Sequence, residues 1–183
     1  MSEELSVLKL VCRGLDEAAI PYMLTGSFAA NFYATPRMTR DVDIVIAIQK
    51  PRIDRFLKIF QNDFYVDRIE IVEAIEAPGI FNILHNETIL KVDFIVLKDA
   101  PYREAEFQRR RRIQLDDASI WIVAPEDLII SKLFWAKESF SAMQLGDVHK
   151  LLTGHVVLDR EYIRHWINEL GLQQVYEKVN VDG

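Results

Sequence analysis

Asp41-Val42-Asp43-Ile44-Val45-Ile46-Ala47-Ile48 is the stretch on which the fold turns. Its β-branched residues predict a strand. Successive strand side chains leave opposite faces, so Asp41 and Asp43 share one face, about 7 Å apart along the chain. Val42, Ile44 and Ile46 take the other face and suit a core. Two carboxylates this close repel, and each raises the other's pKa unless a cation sits between them. Hard oxygen donors of this kind suit Mg²⁺, which commonly takes one or two carboxylates together with substrate phosphates.

Upstream, Ser2-Glu3-Glu4 followed by Leu5, Leu8, Leu10, Val11 and Leu15 predicts a capped amphipathic helix to about Ala19. Pro21 ends it, and Tyr22-Met23-Leu24-Thr25 reads as a short buried strand. Gly26-Ser27 then opens a small-residue helix through Phe32, broken at Ala34-Thr35-Pro36-Arg37. Free N–H groups, the helix dipole and the Ser27 hydroxyl make this helix start a natural phosphate cradle. With no side chain, Gly26 lets a phosphate approach the backbone. Arg37 and Arg40 stand just before the aspartate strand, where they can meet a triphosphate; Arg40 could instead pair with a nearby acid.

Downstream, Pro51 with Ile53, Phe56, Leu57 and Phe60 predicts a helix. Ile69 to Ile75 and Ile80 to His85 read as strands, Asn86-Glu87-Thr88 as a turn, and Ile89 to Leu97 as a long strand. Asp93 interrupts that last strand among Val92, Phe94, Ile95 and Val96. A lone carboxylate in apolar surroundings is costly unless it is paired or binds a cation. If the two strands are neighbours, Asp93 completes a three-carboxylate cluster able to hold two metals around a phosphoryl group. A charged segment, Tyr102 to Arg112, leads to a strand at Ser119 to Val123. Helices are expected at about 126–138, 140–153 and 159–169. The expected class is α/β (α+β), a mixed sheet with flanking helices and a helical C-terminal part. Residues 1–124 would form a core, with 125–183 an extension packed on it.

Composition narrows the setting. The 183 residues are half hydrophobic, enough for a sizeable core. A net charge of −6 argues against wholesale binding to nucleic acid. The lone Cys12 excludes an internal disulfide framework, the N-terminal residues are acidic rather than basic, and no apolar run is long enough to span a membrane. A soluble cytoplasmic protein is expected, with no membrane partner and homodimerisation left open.

Leu24-Thr25-Gly26-Ser27, thirteen residues, Asp41-Val42-Asp43-Ile44 and then Asp93 together resemble the nucleotidyltransferase superfamily typified by DNA polymerase β. More narrowly, Thr39-Arg40-Asp41-Val42-Asp43 and Pro125-Glu126-Asp127-Leu128-Ile129-Ile130-Ser131-Lys132-Leu133 look like its small bacterial branch. That branch includes antibiotic nucleotidyltransferases and abortive-infection toxins. The resemblance implies a nucleotidyltransferase fold and a transferase that moves NMP from an NTP to a hydroxyl acceptor, releasing pyrophosphate. Asp41, Asp43 and Asp93 would be catalytic and bind Mg²⁺ or Mn²⁺; Gly26, Ser27, Arg40 and Lys132 would bind the nucleotide. Asp147 is similar to a further acidic position in the toxins, within a pattern that departs from theirs. The acceptor is left open among small molecules, RNA and protein.

Other features invite competing readings. Gly26-Ser27 alone is an ordinary strand-to-helix turn, and Lys132 could simply snorkel to water. Arg109-Arg110-Arg111-Arg112 reads as a solvated face rather than a nucleic-acid patch. The four histidines lack zinc-ligand spacing, and Trp121, Trp135 and Trp166 are expected in the core. A non-catalytic nucleotide- or partner-binding module on the same fold, or a toxin–antitoxin or defence component, stands as the alternative.

Overall fold

The computed structural model describes residues 3–39 and 41–179. The expected Ser2 cap therefore lies outside the described residues, as does Arg40. Helix α1 (Glu3–Ala18) leads to strand β1 (Tyr22–Thr25), helix α2 (Gly26–Tyr33) and strand β2 (Val42–Ile46). A short 3₁₀ turn precedes α3 (Ile53–Phe60), followed by β3 (Phe64–Val66), α4 (Arg68–Glu76), β4 (Ile80–His85) and β5 (Lys91–Val96). Then come α5 (Pro101–Gln108), β6 (Arg111–Leu115), β7 (Ala118–Ile122), α6 (Pro125–Ala136), α7 (Ala142–Thr153), α8 (Arg160–Glu169) and α9 (Gln173–Tyr176).

The strands form one mixed sheet in the order β3-β4-β5-β2-β1-β7-β6. β2 runs parallel to β5 and antiparallel to β1, which in turn runs parallel to β7. Val42, Ile44 and Ile46 stand opposite Val92, Phe94 and Val96 in this register, and all six are buried. Helix α3 covers that face: the Phe56 ring meets Phe94 edge-on at 5.4 Å and Phe81 at 5.7 Å. Edge-to-face packing of this kind adds to the area the rings bury. Gly14 lets α1 lie close to α3, since a Cβ there would come within 2.7 Å of the Phe60 ring. The opposite face, with Asp43, Val45 and Ile95, lines cavities closed by α6.

The structure differs from the sequence reading at several elements. Residues 69–75 lie in helix α4, not a strand: the Asp67 side chain accepts from the Ile69 N–H at 2.7 Å and caps the helix, with Ile71 and Ala74 buried one turn apart. β-Branched composition suggested a strand, but the cap and the three-residue spacing decide. The charged segment 102–112 forms α5, with Pro101 in its first turn, and the start of β6. The short strands β3 and β6 were not expected as strands at all.

Half of the arginine run departs from a solvated face: Arg109 and Arg110 are partly buried, while Arg111 and Arg112 stay exposed. Arg109 Nε donates to Asp127 at 2.9 Å and its Nη2 to Glu126 at 3.1 Å, while its guanidinium lies 3.9 Å from the Tyr162 ring centroid. Arg111 reaches Glu126 as well, and Arg110 stacks on Phe107 and Trp121. Glu126 and Asp127 are buried in the first turn of α6, where the helix dipole favours acids. The run staples the end of the sheet to α6.

Candidate active site

Sheet register brings the acids together. Asp43 pairs across β2/β5 with Asp93 and across β1/β2 with Thr25, while Asn82 of β4 stands beside Asp93. Neighbouring strands lie about 4.8 Å apart, so the two carboxylates leave one face side by side. Asp41 stands just ahead of β2 and is exposed. Burial, then the charges of Asp93 and Asp41, push Asp43 up to about 6, against the pull of Lys132 and Lys91. Lys91 Nζ makes an ion pair with Asp93 at 2.8 Å.

The helix start folds against the same acid. Gly26 has φ +68°, and a Cβ there would lie 2.0 Å from Asp43 Oδ2. Only a glycine leaves room for the carboxylate against the backbone. The Thr25 side chain caps none of the first-turn N–H groups of α2. Ser27 Oγ accepts a hydrogen bond from Arg37.

Lys132 is brought in by α6, its ammonium donating to Asp147 Oδ2 at 2.8 Å and to Gln144 Oε1 at 3.1 Å. Arg37 grips the same carboxylate, Nε to Oδ1 at 3.0 Å and Nη2 to Oδ2 at 3.1 Å. Burial alone would raise Asp147, but the bonds from Arg37 and Lys132 win and hold it below the usual carboxylate value. Burial pulls Lys132 below the ordinary lysine value despite Asp147. Lys132 does not snorkel: it is 3 % exposed. Gly26, Ser27, Asp43, Lys132, Trp135 and Gln144 line a cavity of about 240 Å³.

Thus the structure brings together Gly26, Ser27, Asp43 and Lys132, with Asp93 beside Asp43 in the sheet. Three contributors went unrecognised in the sequence. Lys91 lies two residues before Asp93 on one strand face, so period-two spacing would have found it. Gln144 carried no sequence signal. Trp135, expected in the core, is 55 % exposed and lines the cavity one turn beyond Lys132; apart from Ser131 and Lys132 the helix is apolar from Leu128 onward, which hid its exposed side.

Among the described residues no three His, Cys, Asp or Glu side chains converge closely enough to hold a metal ion by themselves. The donor chemistry nevertheless fits Mg²⁺. It offers hard oxygens, and the burial and mutual repulsion that raise Asp43 are what a cation would offset. Mg²⁺ does not require an all-protein cage, because substrate phosphates supply the remaining ligands.

The architecture is the nucleotidyltransferase fold. An antigenic nucleotidyltransferase-like protein from Paracoccidioides brasiliensis superposes with a TM-score of 0.57 at 18 % identity, over 96 % of this chain and 93 % of that one. The antibiotic-resistance factor ANT(2'')-Ia, solved with adenylyl-2''-tobramycin, gives 0.59 at 13 % identity, over 96 % and 99 % of the two chains. The lincosamide antibiotic adenylyltransferase LnuA, lincomycin-bound, gives 0.54 at 13 % identity, over 84 % and 98 %. No protein-family model and no curated protein sequence matches the chain. No helix among the described residues is long and apolar enough to cross a membrane.

Proposed function

We propose that the protein is a metal-dependent nucleotidyltransferase that moves NMP from an NTP to an acceptor hydroxyl and releases pyrophosphate. One observation carries the reading: β1, β2 and β5 set the Gly26 turn, Asp43 and Asp93 side by side on one sheet face. In this reading residues 1–124 supply the acids and the phosphate cradle, and residues 125–183 supply Lys132. Backbone N–H groups at Gly26 and Ser27 hold the terminal phosphates, and Lys132 neutralises their charge. Asp41, Asp43 and Asp93 would hold Mg²⁺ or Mn²⁺, which neutralises phosphate charge when bound.

Asp93 takes the proton of the acceptor hydroxyl. The acceptor oxygen forms a bond to the α-phosphorus as the bond from that phosphorus to the bridging oxygen breaks. Pyrophosphate leaves with the electron pair, and rate enhancement comes mainly from positioning and electrostatics. Asp147 holds Arg37 and Lys132, so phosphate binding exchanges one set of anionic partners for another. The antibiotic-bound neighbours support a small molecule as acceptor.

The test is label transfer. Wild type and an Asp41→Ala/Asp43→Ala variant are incubated with each α-labelled NTP, Mg²⁺ or Mn²⁺ and cell extract. Label appearing on an acceptor with wild type alone supports the reading. No transfer, together with no metal-dependent NTP binding by calorimetry, rejects it.

A further inference from the structure

A second cavity, of about 460 Å³, adjoins the phosphate cavity and shares Thr25, Ile80, Ile95, Ser131 and Trp135 with it. Its size falls within the range of small-molecule sites. It extends along the sheet beyond the carboxylates, over Val45, Ile95 and Leu97, and is closed by α5 and by Phe134 and Trp135 of α6.

Its position relative to the leaving group matters. The Gly26 turn lies on the β1 side of Asp43; Asp93, Ile95 and Ile80 lie on the β5 side. In-line displacement puts nucleophile and leaving group on opposite sides of the phosphorus. With pyrophosphate leaving toward Gly26, the attacking hydroxyl arrives from the β5 side, where this cavity opens.

The lining sets the ligand's chemistry. Its charged side chains are Lys98, Arg103 and Glu106, two bases against one acid. Glu106 is buried and already taken: Arg103 Nη1 donates to it at 2.8 Å, and the Ser131 hydroxyl donates to its other oxygen. The Tyr102 hydroxyl is spent on the Asp127 carbonyl at 3.0 Å. Arg103 lies over the Tyr102 and Phe134 rings, 5.2 and 5.0 Å from their centroids. The remaining wall is aliphatic and aromatic. A polycation would meet no free carboxylate and two like charges, and away from the exposed Lys98 a strongly polar ligand would lose water without gaining partners.

We infer that this cavity is the acceptor site and that its ligand is a neutral, largely apolar small molecule carrying one reactive hydroxyl. The assignment of the cavity to the acceptor rests on the transferase reading; the ligand class rests on the lining alone.

The experiment uses the full chain and the variants Phe134→Asp and Phe134→Leu. Phe134 is 43 % exposed and lines this cavity without lining the phosphate cavity, so its replacement leaves the nucleotide site untouched, and Phe134→Leu controls for the lost stacking of Arg103. Calorimetry measures binding of a series of neutral alcohols from 2-naphthylethanol to a steroid monoalcohol. A polyamino sugar, neamine, is the cationic comparison, and a non-hydrolysable NTP analogue with Mg²⁺ reads the nucleotide site.

Expected are saturable alcohol binding to wild type, a loss of about tenfold or more in Phe134→Asp from the charge set against an apolar ligand, and retention in Phe134→Leu. The NTP analogue binds all three proteins alike, and neamine does not bind in the cavity. Absence of binding across the alcohol series, indifference to Phe134→Asp, or preference for neamine overturns the ligand class. Competition between the NTP analogue and the alcohol overturns the acceptor assignment, since the cavity would then hold the nucleoside. Alcohol binding with no NTP binding sinks the transferase reading and leaves the ligand class standing.

Discussion

Replacing Asp43 by Asn removes a charge that the metal-free fold holds at a cost. Asp43 stands at about 6 against an ordinary 3.8, raised by burial and by the charges of Asp93 and Asp41. At about 1.4 kcal/mol per unit, that shift of about two units corresponds to roughly 3 kcal/mol of lost stability once the group is fully ionised. The sign follows from proton binding: the folded state holds this proton more tightly than the unfolded chain. No penalty therefore exists below the unfolded value near 3.8; it grows as pH rises and is complete above the folded value of about 6. Asn keeps the shape and discards the charge. Asp43→Asn should stabilise the metal-free protein by about 1–3 kcal/mol near neutral pH, a melting shift on the order of 3–10 °C, and by close to nothing near pH 4. The assay is urea and thermal denaturation in chelator across that pH range, repeated with Mg²⁺. Added Mg²⁺ should stabilise wild type more than the variant, and label transfer by the variant should be lost. A destabilised Asp43→Asn protein, or a gain of equal size at every pH, would refute the argument that like charge and burial dominate this position.

Three further outcomes follow from the same geometry. Gly26→Ala places a methyl 2.0 Å from Asp43 Oδ2 in a left-handed backbone, costing about 1–3 kcal/mol in backbone strain; Mg–NTP binding measured by calorimetry should fall at least tenfold, and normal affinity would show that the turn does not cradle phosphate. Lys132→Met removes the buried ammonium beside Asp147, and NTP affinity should drop about tenfold, roughly 1.4 kcal/mol, with the change absent for a nucleoside lacking phosphates; equal losses for both ligands would place Lys132 away from the phosphates. Asp127→Ala removes the acceptor of Arg109 Nε and of the Tyr162 hydroxyl, which donate to it at 2.9 and 2.7 Å, and leaves Arg109 with Glu126 alone, so urea unfolding should show a loss of about 1–3 kcal/mol; a loss under about 0.5 kcal/mol would mean that the staple between the sheet and α6 adds little.

Much of this protein is local enough to be legible in its sequence. Alternation in residues 41–48 predicted Asp41 and Asp43 on one face and Val42, Ile44 and Ile46 on the other; Asp43 and the three apolar residues take those faces, because side-chain direction on a strand is set by backbone geometry, while Asp41 stands ahead of β2. Gly26 at the end of β1 and Asp93 within an apolar strand were visible for the same reason. The α4 helix was misread because a run of isoleucine and valine favours a strand, and only the Asp67 cap and the packing of Ile71 and Ala74 decide otherwise.

What the sequence could not contain is pairing across distance. That β2 lies between β1 and β5, in the register that sets Asp43 beside both Thr25 and Asp93, is decided by sheet assembly. The same holds for Asp147, which lies 110 residues from Arg37 yet grips it, and for the arginine run, whose partners Glu126 and Asp127 come from another element. A charge run has no fixed meaning in one dimension. Its energy depends on whether an opposite charge is brought to it out of water, and only the packed fold supplies that partner.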